Sequence, residues 1–264
     1  MNLHRVGGLI LRYTFLYTRS VPRVLEMFFW PVMDLLVWGM LTQYLQTGPY
    51  HLPAFIRFLL GGMILWDVLY RAQQATTISF LEDVWARNLM NVFVAPVRLR
   101  EFFAATFCVG TLKIVVTVAV LAVLSATFYD FHLLSLGSAL APLFVNLLIM
   151  GWSVGILTTG MILRWGQASE ALAWGIPFLL QPVCAAFYPV STLPGWLQPV
   201  SLAIPATHVF EGMREVLAGQ GLSPARLAWA FSLNLVYLSA ASLLFRRLFH
   251  QARSKGLLAK LGTQ

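Results

Sequence analysis

Long apolar runs separated by short polar ones dominate this chain. A helix needs roughly 20 apolar residues to cross about 30 Å of hydrocarbon, and six runs approach that length. They lie at about Phe28–Leu45, Phe55–Ser79, Phe102–Phe128, Ser135–Leu163, Ala168–Phe187 and Ala225–Leu248. Ahead of them, "MNLHRVGGLILRYTFLYTRSVPRVLE" reads as a basic amphipathic interfacial helix over residues 1–25, too often interrupted by Arg to be a signal-peptide core. Between the second and third runs, Trp85, Leu89 and Phe93 recur at four-residue spacing, with Asp83 and Arg87 on a second face. Ala95-Pro96 stops that pattern, because a residue before proline avoids helical geometry. The spacing predicts a helix from Glu82 to Pro96 that either lies on lipid or docks a partner.

After the fifth run the pattern changes. "FYPVSTLPGWLQPVSLAIPATHVFEGMRE", residues 187–215, is apolar but holds Pro189, Pro194, Pro199 and Pro205. No straight helix accommodates them, since each removes a backbone donor and clashes one turn back. Irregular backbone near lipid must be shielded by protein or wetted by a cavity. The reading is a re-entrant hairpin of short helices that turns at "STLPGW" and returns through "PATHVFEGMREVLAG". Pro205 suits the first turn of the returning helix and Gly219 its end. Such a hairpin would serve as an external lid; the plainer reading is a connecting loop.

Composition fixes the class. The 264 residues are 59% hydrophobic and 11% charged, with mean hydropathy +0.75, against roughly 25% charged residues in soluble domains. The expectation is an all-α integral membrane protein, one transmembrane domain over residues 1–264. Its 18 Lys+Arg against 10 Asp+Glu would suggest nucleic acid in a soluble protein; here they report topology, and no nucleic-acid partner is expected. Arg5, Arg12, Arg19, Arg23, Arg87, Arg98, Arg100, Arg164, Arg246, Arg247, Arg253, Lys255 and Lys260 fall on one face of the six-run arrangement, and Arg57, Arg214 and Arg226 on the other. The basic face is cytoplasmic by the positive-inside rule, and so are both termini.

Ionisable groups inside apolar runs are expensive and mark candidate sites. Asp34, Asp67, Arg71 and Lys113 qualify, Asp67 and Arg71 being spaced to pair on one helix face, which Gln74 extends. They line a transport path or simply tie helices together, and Lys113 has a stem long enough to snorkel. Cys108 and Cys184 read as buried small hydrophobes. The histidines show no metal-ligand spacing, so no metal is expected; His208 reads as a hydrogen-bonding turn residue. Gly151–Gly155 spells G-x-S-x-G around Ser153, but mid-run its small residues fit close helix packing better than a nucleophile turn. No G-x-x-x-x-G-K-[ST] occurs, so any ATPase must act in trans.

"LEDVWARNLMNVFVAPVRLREFFAA" and "FYPVSTLPGWLQPVSLAIPATHVFEGMRE" resemble two regions of ABC-2 type permeases, and the basic N-terminus followed by six spans fits the same family. Ala185 and Ala186 stand where many members have glycines, and Ile204-Pro205 where many have Asn-Pro. The resemblance implies half of an ATP-driven exporter. Two permease chains, copies or homologues, would pair in a bacterial inner (plasma) membrane over two separate ATPase subunits, which hold ATP and Mg; this chain binds no cofactor and is not itself catalytic. The cargo would be an amphipathic drug-like, lipid or glycan substrate moved out of the cytoplasm or inner leaflet. Glu82, Asp83, Trp85, Arg87, Leu89, Phe93 and Pro96 would form the coupling helix seated in the ATPase, and Pro189, Leu193, Pro194, Pro205, Glu211 and Arg214 the external gate. Two other readings remain: an ion-coupled carrier using Asp34, Asp67 and Lys113, and an intramembrane enzyme built on Ser153.

Overall fold

The computed structural model describes residues 1–47, 53–86, 88 and 97–254. Arg87, Leu89, Phe93 and Pro96 of the expected coupling helix lie outside them. Within the described residues the fold is helical throughout. In chain order the helices are α1 (Leu3–Thr18), α2 (Val21–Thr47), α3 (Pro53–Trp85), α4 (Leu99–Tyr129), α5 (Leu140–Trp165), α6 (Ala171–Val183), α7 (Gln198–Leu202), α8 (Pro205–Leu217) and α9 (Pro224–Ser254). Short 3₁₀ turns at Leu133–Ala139, Gly166–Ser169 and Val190–Thr192 join or lead into them.

Four stretches among the described residues are long and apolar enough to cross a membrane: Val21–Leu45, Leu99–Tyr129, Leu133–Trp165 and Pro224–Ser254. These mark a membrane protein. The other two expected spans differ in kind. Helix α3 is long enough but polar over its second half, and Gln73, Thr76, Thr77 and Asp83 are buried there against other helices. Helix α6 has 13 residues and reaches only about 20 Å, short of a bilayer's hydrocarbon. The expected amphipathic segment 1–25 is also divided: α1 ends at Thr18, and residues from Val21 onward belong to the first span.

Helix α3 is the centre of the bundle. It packs on α5, with α2 and α4 on its flanks, and α9 covers α5. Gly151 and Gly155 make the α3–α5 contact close. A Cβ added at Gly151 would meet Ala72 Cβ at 2.5 Å and Leu69 O at 2.6 Å, and one at Gly155 would meet Gln73 O at 2.9 Å. This is small-residue packing of the kind that draws membrane helices together. Between them, Ser153 is buried and donates one turn back to Ile149 O at 2.8 Å.

The two larger of three apolar clusters among the described residues divide the molecule lengthwise. The larger joins α2–α5 to α8 and the Cys184–Ala186 turn. The smaller gathers one end: Val6, Leu9 and Tyr13 of α1, Phe80, Leu81 and Val84 of α3, Phe102, Ala105 and Val109 of α4, Ile162 and Leu163 of α5, Ala173 of α6 and Ala252 of α9. Cys184 is buried as expected, but Cys108 is exposed on the surface of α4, because the apolar run around it turns one face outward.

Candidate functional site

The end formed by the smaller cluster is built on acids at helix ends. Asp83, in the last turn of α3, is 1% exposed. It accepts from both terminal nitrogens of Arg12, one of them at 3.4 Å, and from the Tyr13 hydroxyl at 3.2 Å. Burial, then the Asp83 charge, raises the Tyr13 pKa above its ordinary value, so the phenol stays protonated and keeps donating. Glu82 pairs with Arg23 at 3.5 Å. At the start of α4, buried Glu101 accepts from the Arg98 N–H at 2.9 Å and the Asn2 N–H at 2.7 Å, with Arg5 at 3.9 Å. Trp85 Nε1 donates to Glu170 in the α5–α6 turn at 3.3 Å. The Lys113 ammonium sits 3.7 Å from the centre of the Tyr17 ring.

One expectation is corrected here. Glu82 and Asp83 continue α3 and are consumed inside the protein, so they do not form the free charged face of a separate helix. Arg5 and Arg12 of α1 and Arg23 of α2 each face an acid on α3 or α4. The 86–98 connection is thus bracketed by two helix ends that α1 ties together.

In mid-bundle, Arg71 Nε donates to Asp67 Oδ2 at 2.7 Å, the spacing read from the sequence. Asp34 lies within range of the Arg71 charge and is exposed on α2 among Trp30, Met33 and Val37. Gln74 has a role its position on the face did not reveal. Pro177 leaves Ala173 O without its helical donor, and Gln74 Nε2 fills it at 3.0 Å, joined by Gln73 Nε2 at 3.1 Å. Asn234 on α9 donates to Asn146 Oδ1 on α5 at 2.8 Å, both side chains buried. The paired asparagines, Gln73, Arg12, Tyr13 and Glu101 were not singled out from sequence. Only Pro177, which predicts an orphan carbonyl, gave a local signal.

At the opposite end, the prolines begin short elements. Pro189 precedes the 190–192 turn, Pro199 is the second residue of α7 and Pro205 the first of α8. Gly219 follows α8 at φ +79. Arg214, 8% exposed, reaches back to Ala185 O at 3.0 Å, Ala186 O at 3.5 Å and Glu211 at 2.9 Å. Glu211 also accepts from the Val190 N–H at 2.8 Å. The guanidinium therefore caps the C-terminal side of α6, where carbonyls lack partners. Ala185 holds φ +52, a region where a side chain is strained and where the resemblance expects glycine. Gly62 on α3 lets this turn approach, since a Cβ there would lie 2.6 Å from Ala186 O. His208 hydrogen-bonds Leu202 O at 2.8 Å, from within α8 rather than from a turn. Leu193 is buried; Pro194 and Trp196 are exposed.

No family model matches the sequence. The chain is 27% identical over 187 residues to "ABC transporter G family member 20" of Dictyostelium discoideum, an alignment covering 70% of this chain and 25% of that protein. The chain therefore spans about a quarter of the length of the curated relative it matches. The likeness is consistent with the resemblance to ABC-2 type permeases and joins the four apolar spans in pointing to a membrane protein distantly similar to an ABC transporter.

Proposed function

We propose that this chain is the membrane-spanning permease subunit of an ATP-driven exporter whose ATPase is a separate polypeptide. The cargo class is an amphipathic drug-like, lipid or glycan molecule, and the complex holds two permeases and two ATPases in a plasma membrane. The observation that carries the reading is the tied inner end. Helix ends Glu82–Trp85 and Leu99–Glu101 flank the 86–98 connection and share the α1 end through Arg12 with Asp83, and Asn2 and Arg5 with Glu101. A push on that connection from a cytoplasmic ATPase would move α3 and α4 together rather than bending one loop. Helix α3 runs unbroken from there to Gly62, beneath the Pro-rich hairpin. That gives displacement a stiff path to the proposed external gate.

In this reading α3 is a crossing lined by protein, and α6 with the Cys184–Phe187 turn completes the passage between the inner end of α5 and the outer start of α9. The carrier alternative draws no comparable support: Asp67 is neutralised by Arg71 and Lys113 rests on Tyr17. Ser153, buried and bonded within its own helix, offers the enzyme alternative no exposed nucleophile.

The test uses the tagged chain purified in mild detergent from its own host, with co-purifying ATPase activity and ATP-driven transport as readouts. Leu89→Asp and Phe93→Asp are expected to release the ATPase or uncouple transport while the permease still inserts. Wild-type co-purification and transport in both variants would overturn the coupling assignment.

A further inference from the structure

The last turns of α9 carry a cationic face that the ion pairs of the inner end leave unused. Arg246, His250 and Arg253 recur at i, i+4 and i+7, with Arg247 and Gln251 beside them, all exposed. Leu243, Arg246, Arg247, His250 and Gln251 line a shallow groove of about 510 Å³. None of the three guanidinium groups has a hydrogen-bond or ion-pair partner among the described residues, and α9 contains no acid. The nearby acids are committed elsewhere: Glu82 to Arg23, Asp83 to Arg12, Glu101 to the α1–α4 junction and Glu170 to Trp85.

We infer that this groove binds the headgroup of an anionic phospholipid. The inference rests on α9 crossing a membrane, as in the reading above, but not on the ATPase. Leu243 and Leu244 are exposed one turn before the arginines, 60% and 41%. The helix thus presents an apolar strip running directly into a cationic one. That is the complement of acyl chains below a phosphate, and basic clusters at the end of a span attract such lipids. An acidic protein surface would match the arginines but not the leucines.

The full chain, purified in detergent, is to be titrated with dioleoylphosphatidylglycerol and dioleoylphosphatidylcholine, and bound lipid counted by native mass spectrometry. The anionic lipid is expected to bind more tightly. Its advantage should fall about fivefold for each of Arg246→Gln, Arg247→Gln and Arg253→Gln, and stay unchanged in Arg226→Gln at the other end. Equal binding of the two lipids, or an advantage that survives the triple substitution, overturns the inference. Should the triple variant not fold, wild-type protein decides the matter in a salt series. The advantage must shrink as ionic strength rises, and an advantage indifferent to salt overturns the inference as well.

Discussion

The two ends of this molecule are held by the same chemistry arranged at different range. At the α1 end, Arg12 meets Asp83 across 71 residues of chain and Asn2 meets Glu101 across 99. At the hairpin end, Arg214 meets Glu211 three residues away and the Ala185–Ala186 carbonyls 28 to 29 residues away. Long-range pairs weld α1, α3 and α4 into one body. The shorter-range clasp ties the hairpin to itself, while α8 and the Cys184–Ala186 turn pack into the larger apolar cluster, close against α3 at Gly62. One end is tied between helices far apart in the chain, the other mainly within one segment.

The comparison breaks most sharply at Asp83. Arg12→Gln would strand a carboxylate that is 1% exposed, and losing one partner of a buried pair costs about 3–5 kcal/mol. Asp83→Asn should cost less, roughly 2–3 kcal/mol, because the Arg12 side chain keeps 32% of its surface exposed and can rehydrate. Denaturant unfolding of the purified protein, with limited proteolysis of α1, measures both. Equal losses would mean that Asp83 is less buried than its position implies. At the other end, Arg214→Gln removes charge-assisted bonds to two carbonyls and Glu211 and is expected to cost about 2–3 kcal/mol. Cleavage should then appear within residues 184–204 while α1 stays protected; exposure of both ends at once would deny that the Arg214 clasp acts on the hairpin alone. The smallest effect is a gain. Ala185→Gly relieves the φ +52 strain and, after the added chain entropy, should stabilise by about 0.5–1 kcal/mol; a loss of stability would contradict the strain.

Patterns that are local in the chain were legible without the structure. The apolar runs became α2, α4, α5 and α9, with α2 starting seven residues before its expected limit and α9 ending six after. The Asp67–Arg71 spacing and the places of Pro205 and Gly219 needed only helix geometry. What escaped was decided by partners far away. Nothing near Glu82 and Asp83 indicates that arginines of α1 and α2 reach them, so two acids that read as the start of a separate helix instead end α3 in ion pairs. Helix α6 looked like a span because its apolar run continues past Val183, yet Cys184 and Ala185 turn the chain there. Asn146 and Asn234 each look like an ordinary polar residue in an apolar run until α5 and α9 are brought together.

The central claim, that the α1 end faces the cytoplasm and the Pro-rich hairpin the outside, is tested most directly by cysteine accessibility. In a background with exposed Cys108 replaced by Ser, Thr18→Cys marks one end and Gly195→Cys, beside exposed Trp196, the other. A membrane-impermeant maleimide applied to intact cells should label Gly195→Cys at once and Thr18→Cys only after permeabilisation. Labelling of Thr18→Cys in intact cells, or of Gly195→Cys only after permeabilisation, would contradict the account.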